Sequence, residues 1–132
     1  MLIQLFTDGG AKNNPGPAGI GIVIFKNGKI IGKYSKYLGR TTNNIAEYQA
    51  LIFGLKKLKS LGIKKVDCFA DSELLVNQLN GKYRVKNPKL AELIAKIKNL
   101  QKYFEKISFN YLPREQNKEA DKLVNEAITK AV

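Results

Sequence analysis

The stretch GIGIVIFKNGKIIGKYSKY, residues 19–37, decides the fold. Its first part, Gly19 to Lys26, is an apolar run rich in β-branched residues. Asn27-Gly28 supplies the two residues that most readily take the positive φ angles of a tight hairpin turn. Residues 19–26 therefore read as one strand and 29–37 as its antiparallel partner. Toward the N-terminus, residues 1–7 form another apolar-rich strand ending at Asp8. Gly9 to Pro17 between them is dense in turn formers and reads as a loop. Toward the C-terminus, Leu51, Ile52, Leu55 and Leu58 recur at helical spacing, predicting a helix over 44–61 that Gly62 ends. Residues 65–70 are a short strand ending at Asp71, and Ser72 to Asn80 is a short helix stopped by Gly81. Asn87-Pro88 opens a longer helix over 89–103, with Leu90, Leu93, Ile94, Ile97 and Leu100 on one face. Residues 106–112 form the last strand, broken by Pro113, and a final helix runs over 117–131.

Three meandering strands thus precede two strand–helix units. Crossover helices make the later strands parallel to each other and to the first. The expected architecture is α/β: a mixed five-stranded sheet with helices on its faces, in one domain over residues 1–132. No linker, repeat or phosphate-loop motif interrupts it. Gly16, Gly19 and Gly21 enter a hairpin and so are no dinucleotide fingerprint.

Composition narrows the chemistry. The chain has 132 residues and 44% apolar content, sufficient for one core. It has no histidine and a single cysteine, Cys68, which excludes Ser-His-Asp and Cys-His catalysis and the usual zinc sites. Cys68 sits in an apolar stretch and reads as a buried, reduced thiol of a cytoplasmic protein. Neither a membrane span nor a signal peptide is expected. The net charge is +12, from 23 Lys and Arg against 11 Asp and Glu. Such an excess suits a polyanionic partner, although a Lys-rich solvated surface explains it equally.

Four acids are unusual in position. Asp8 and Asp71 end strands expected to be neighbours, and ligand sites of open α/β sheets lie outside such strand ends. Plainer roles exist: a turn aspartate for Asp8, a helix cap for Asp71. Glu47 fits a capping box opened by Asn44. It also extends the apolar stripe of Leu51, Leu55 and Leu58 by one turn, where a carboxylate is costly to bury alone. Asp121 similarly lies on the stripe of Val124, Ala127 and Ile128, although a first-turn acid is also favoured by the helix dipole. Together the four would gather at one rim of the sheet. Carboxylates that close repel unless a cation separates them. A hard, oxygen-binding ion such as Mg²⁺ needs no histidine, and two such ions can clamp an in-line phosphoryl displacement.

Phe6-Thr7-Asp8-Gly9-Gly10 with Asn14-Pro15-Gly16 resembles the opening motif of the ribonuclease H type 1 family. Thr41 to Tyr48 resembles its second motif, Asp71-Ser72-Glu73 its third, and Pro113 to Asp121 its fourth, all in order. The resemblance implies a ribonuclease H-like fold with sheet order 3-2-1-4-5 and strand 2 antiparallel. It implies a four-carboxylate site, Asp8, Glu47, Asp71 and Asp121, catalytic and binding two Mg²⁺ or Mn²⁺ ions. The implied reaction is hydrolysis of the RNA strand of an RNA–DNA hybrid, leaving 3′-hydroxyl and 5′-phosphate ends. Double-stranded RNA stays open as a further partner, and a monomer is the expected state. Asn14, Asn43 and Asn44 match minor-groove contacts, and Arg40, Thr42 and Asn14 match a pocket for a DNA phosphate. Gly9, Glu73, Arg114 and Asn117 complete the expected substrate side.

Three departures stand out. The family's loop histidine is missing, and Arg114 or Glu115 is the available substitute. Glu73 replaces a glutamine, and an ionised carboxylate cannot donate the same hydrogen bond. The basic protrusion between two helices is reduced to Gly81–Pro88, where Lys82, Arg84 and Lys86 alternate. Weaker and steeply salt-dependent substrate binding is the expected consequence.

Overall fold

In the computed structural model of the chain, residues 2–82 and 84–131 are described. Met1, at the head of the first expected strand, Tyr83, inside the 81–88 connection, and Val132 lie outside them. The elements are β1 (Ile3–Ala11), β2 (Gly16–Lys26), β3 (Lys29–Thr41), α1 (Asn43–Ser60), β4 (Lys65–Ala70), α2 (Glu73–Leu79), α3 (Pro88–Gln101), β5 (Lys106–Tyr111) and α4 (Lys118–Ala131). A short 3-10 turn, Arg114–Gln116, leads into α4. The sheet order is β3-β2-β1-β4-β5, as the resemblance implies. β2 is antiparallel to β1 and β3, while β1, β4 and β5 are parallel. Asn27 and Gly28 take φ of 50° and 82°, the left-handed pair that the hairpin needs.

One sheet face carries the larger core. Leu5, Ile22 and Ile24 pack there against Leu51, Leu55 and Leu58 of α1, and Leu93 and Ile97 of α3 close it from outside. On the other face, α4 lies across β1, β2 and β3 through Val124, Ala127 and Ile128. Both helical layers are thus fixed by the apolar stripes visible in the sequence.

The expected loop over residues 9–17 is corrected. β1 continues to Ala11 and β2 already begins at Gly16, with Gly9 paired to Ile20 and Ala11 to Ala18. These glycines serve close approach. A Cβ at Gly9 would overlap the Ala46 carbonyl group of α1, and one at Gly21 would overlap the Ala120 carbonyl of α4. Asp8 is therefore inside β1 and not at its end. The parallel pairing with β4 stops at Thr7–Ala70, however, so Asp8 stands one residue past the point where the two strands part.

Candidate active site

Asp8 and Asp71 each follow the last paired residue of adjacent parallel strands, Thr7 and Ala70. That junction sets them side by side. Asp71 is not the cap of α2: Ser72 is, its Oγ accepting the Leu75 N–H at 3.2 Å. The Asp71 carboxylate is left for the site. Asn44 likewise does not cap α1. Thr42 does, accepting from the Ile45 N–H at 3.2 Å, so the capping-box explanation of Glu47 falls away. Glu47 stands in the second turn of α1, on the buried stripe, as its spacing requires.

One oxygen each of Asp8, Glu47 and Asp71 lies within 4.8 Å of the others. Asp121 lines the same cleft and sits beside Asp8, but it stands outside this mutually close trio. It is held from α4 and touched by Arg114, whose Nη2 is 3.5 Å from Oδ1. The cleft encloses about 340 Å³, and Lys12, Asn43 and Asn125 join the acids in its wall. Lys12 and Asn125 were not singled out in the sequence. Asn125 stands one helical turn beyond Asp121, a spacing that could have found it.

Electrostatics make the cluster incomplete as it stands. Burial, then the charges of Asp71 and Asp121, push the Asp8 carboxyl from 3.8 up to about 8. Burial also raises Glu47 to about 7, against a Ser72 hydrogen bond that favours its ionised form. Two neighbouring acids that resist ionisation at neutral pH are a poor structural device and a good divalent-cation site. The donor set is all carboxylate oxygen, matching a hard ion.

The substrate-side residues divide. The Asn14 and Asn43 carbonyls are spent internally: Asn14 Oδ1 accepts the Asn43 N–H at 2.9 Å, and Asn43 Oδ1 accepts the Ala11 N–H at 2.7 Å. Their amide donors stay available beside the cleft. Arg40 and Asn44 are exposed, the first late in β3 and the second in the first turn of α1. Gly9 presents backbone to the cleft. Glu73 is exposed at the start of α2, away from the cleft wall. Asn117 is corrected: at 2% exposure it lies beneath the acids, and its amide donates to Thr7 O and Asp71 Oδ2. It cannot reach a duplex.

Residues 6–127 match a family model described as "Reverse transcriptase-like". A bifunctional protein of Mycobacterium tuberculosis is 37% identical over 99% of this chain, and the chain spans 36% of that protein's length. RNase H1 from Halobacterium salinarum, solved as a crystal structure, superposes with a TM-score of 0.96 at 34% identity, covering 98% of this chain and 99% of that one. LC11-RNase H1, solved in complex with an RNA/DNA hybrid, superposes with a TM-score of 0.94 at 48% identity and 98% coverage of each chain.

Proposed function

The chain belongs to the ribonuclease H type 1 family, and on that premise we propose that it is an endonuclease cutting the RNA strand of RNA–DNA hybrids with two Mg²⁺ or Mn²⁺ ions. The observation that carries this reading is the trio of a buried Asp8 and half-buried Glu47 and Asp71, within 4.8 Å of one another in a basic protein. With Asp121 at its edge, the trio supplies the oxygen ligands. Held there, such ions would lower the pKa of the attacking water and steady the departing oxygen. Hydrolysis would exchange the P–O3′ bond for a P–O bond from water, with a proton from that water ending on O3′, giving 3′-hydroxyl and 5′-phosphate ends.

The remaining residues bind and orient. The free amides of Asn14 and Asn43 can donate to the acceptor atoms that bases present in a minor groove. Arg40 and the Thr42 hydroxyl would hold a phosphate of the DNA strand, a role supported by the exposure of Arg40 late in β3. The hybrid-bound relative supports this choice of duplex. A cytosolic setting belongs to the same reading and is supported by the free, buried thiol of Cys68.

The test is cleavage of an end-labelled hybrid in Mg²⁺ and in Mn²⁺, with double-stranded RNA as a second arm. Asp71→Asn should bind the hybrid but lose more activity than the about 10- to 100-fold typical of residues that only support a metal ligand. Binding by the wild type without cleavage in either ion would sink the enzymatic reading and leave a binding module.

A further inference from the structure

We propose that Asn117 is a positioning residue that holds the Asp71 carboxylate in register with β1. This rests on the metal-dependent reading of the acidic cleft. Asn117 immediately precedes α4, and its backbone carbonyl accepts the Asp121 N–H at 3.1 Å, the opening bond of that helix. An asparagine at this point normally turns its Oδ1 back to cap the first N–H groups. Here it does not: Oδ1 is buried with no partner. Nδ2 points the other way, donating to Thr7 O at 2.9 Å and Asp71 Oδ2 at 2.8 Å. Both partners are acceptors, so the amide orientation is forced.

The consequence is a three-way tie. Through Thr7 the residue grips the strand position next to Asp8. Through Nδ2 it orients Asp71, and through its carbonyl it anchors the turn that carries Asp121. A hydrogen bond into a ligating carboxylate leaves the other oxygen aimed at the cleft, the usual task of an outer-shell partner. The side chain is 2% exposed, so a role as a substrate contact is closed to it. Its Oδ1 makes no bond to the N–H groups opening α4, an arrangement that a side chain placed as a cap would not adopt.

Asn117→Ser separates the two roles. A serine hydroxyl can cap α4 but is too short to span Thr7 O and Asp71. Asn117→Ala removes the tie to Thr7 and Asp71 and supplies no cap in its place. Three quantities are to be measured: the melting temperature, Mn²⁺ affinity by calorimetry on the full chain, and kcat and KM on a hybrid. Both variants should lose about 10- to 100-fold in Mn²⁺ affinity and in kcat with KM unchanged, while the serine variant melts at or above the alanine variant. A folded Asn117→Ser with wild-type Mn²⁺ affinity and kcat overturns the proposal. So does a loss confined to KM, or one that merely follows melting temperature across the two variants. Wild-type protein that binds Mn²⁺ but cuts no hybrid overturns the proposed function, while the Mn²⁺ arm still judges Asn117.

Discussion

Asp8 shows how one residue can be unfavourable alone and indispensable in company. It is 9% exposed, with Asp71, Asp121 and Glu47 all raising its pKa after burial has done so. In the metal-free protein this couples stability to pH. Between 3.8 and about 8 the folded state holds a proton on Asp8 that the unfolded chain has released. Stability must then fall as pH rises through that window, and Glu47, raised to about 7, adds to the same trend. Thermal melts in chelator should therefore show a falling melting temperature from pH 5 to pH 8. Adding Mg²⁺ or Mn²⁺ at pH 8 should reverse the fall, because the ion binds only the folded state. Asp8→Asn should raise the metal-free melting temperature at pH 8 and abolish the response to the ion. A metal-free protein most stable at pH 8 contradicts this account.

At the scale of the element, the site depends on how closely two helices approach the central strands. α1 brings Glu47 down on β1 because Gly9 has no side chain to hold it off. α4 brings Asp121 down on β2 because Gly21 lies under Ala120 and Leu123. Gly21→Ala should cost about 1–3 kcal/mol as an overpacked contact and reduce activity by displacing α4. Gly10→Ala is the control: its added Cβ would meet Val124 Cγ1 only at 3.6 Å, an ordinary contact. Urea denaturation of both variants compares the two. The Thr42 hydroxyl caps the Ile45 N–H at the start of α1, beside Asn14 Oδ1 on the Asn43 N–H, so Thr42→Ala should lose about 1 kcal/mol and loosen the helix that carries Glu47.

Over the whole molecule, an acidic cleft sits in a chain of net charge +12. The reduced 81–88 connection still turns Lys82, Arg84 and Lys86 outward while Val85 packs on the core. Phosphate contacts from such a surface release counterions, so hybrid affinity should fall by at least about 100-fold between roughly 50 and 200 mM salt. Replacing Lys82, Arg84 and Lys86 together by alanine should flatten that dependence and raise KM while leaving kcat in place. An unchanged salt slope would show that this edge does not meet the duplex. The Phe6, Phe25 and Phe69 rings cluster on the α4 face of the sheet, with Phe6 and Phe69 stacked 4.9 Å apart. They form a half-buried aromatic strip there.

Much of this was legible in the chain itself. The hairpin at Asn27-Gly28, the apolar stripes of α1, α3 and α4, and the βββαβααβα order all follow from local periodicity and turn chemistry. The four acids were conspicuous because period-two and helical spacing put carboxylates where apolar side chains were due. Only the tertiary structure decided the rest. Gly9 and Gly10 read as loop because glycine favours turns locally; helices pressing on the strands made them extended. Asn117 read as a substrate contact, and burial made it a support for Asp71. Thr42 and Ser72, not Asn44 and Asp71, turned out to cap their helices. Such choices depend on which groups meet across the sheet, and neighbours remote along the chain leave no trace in local pattern.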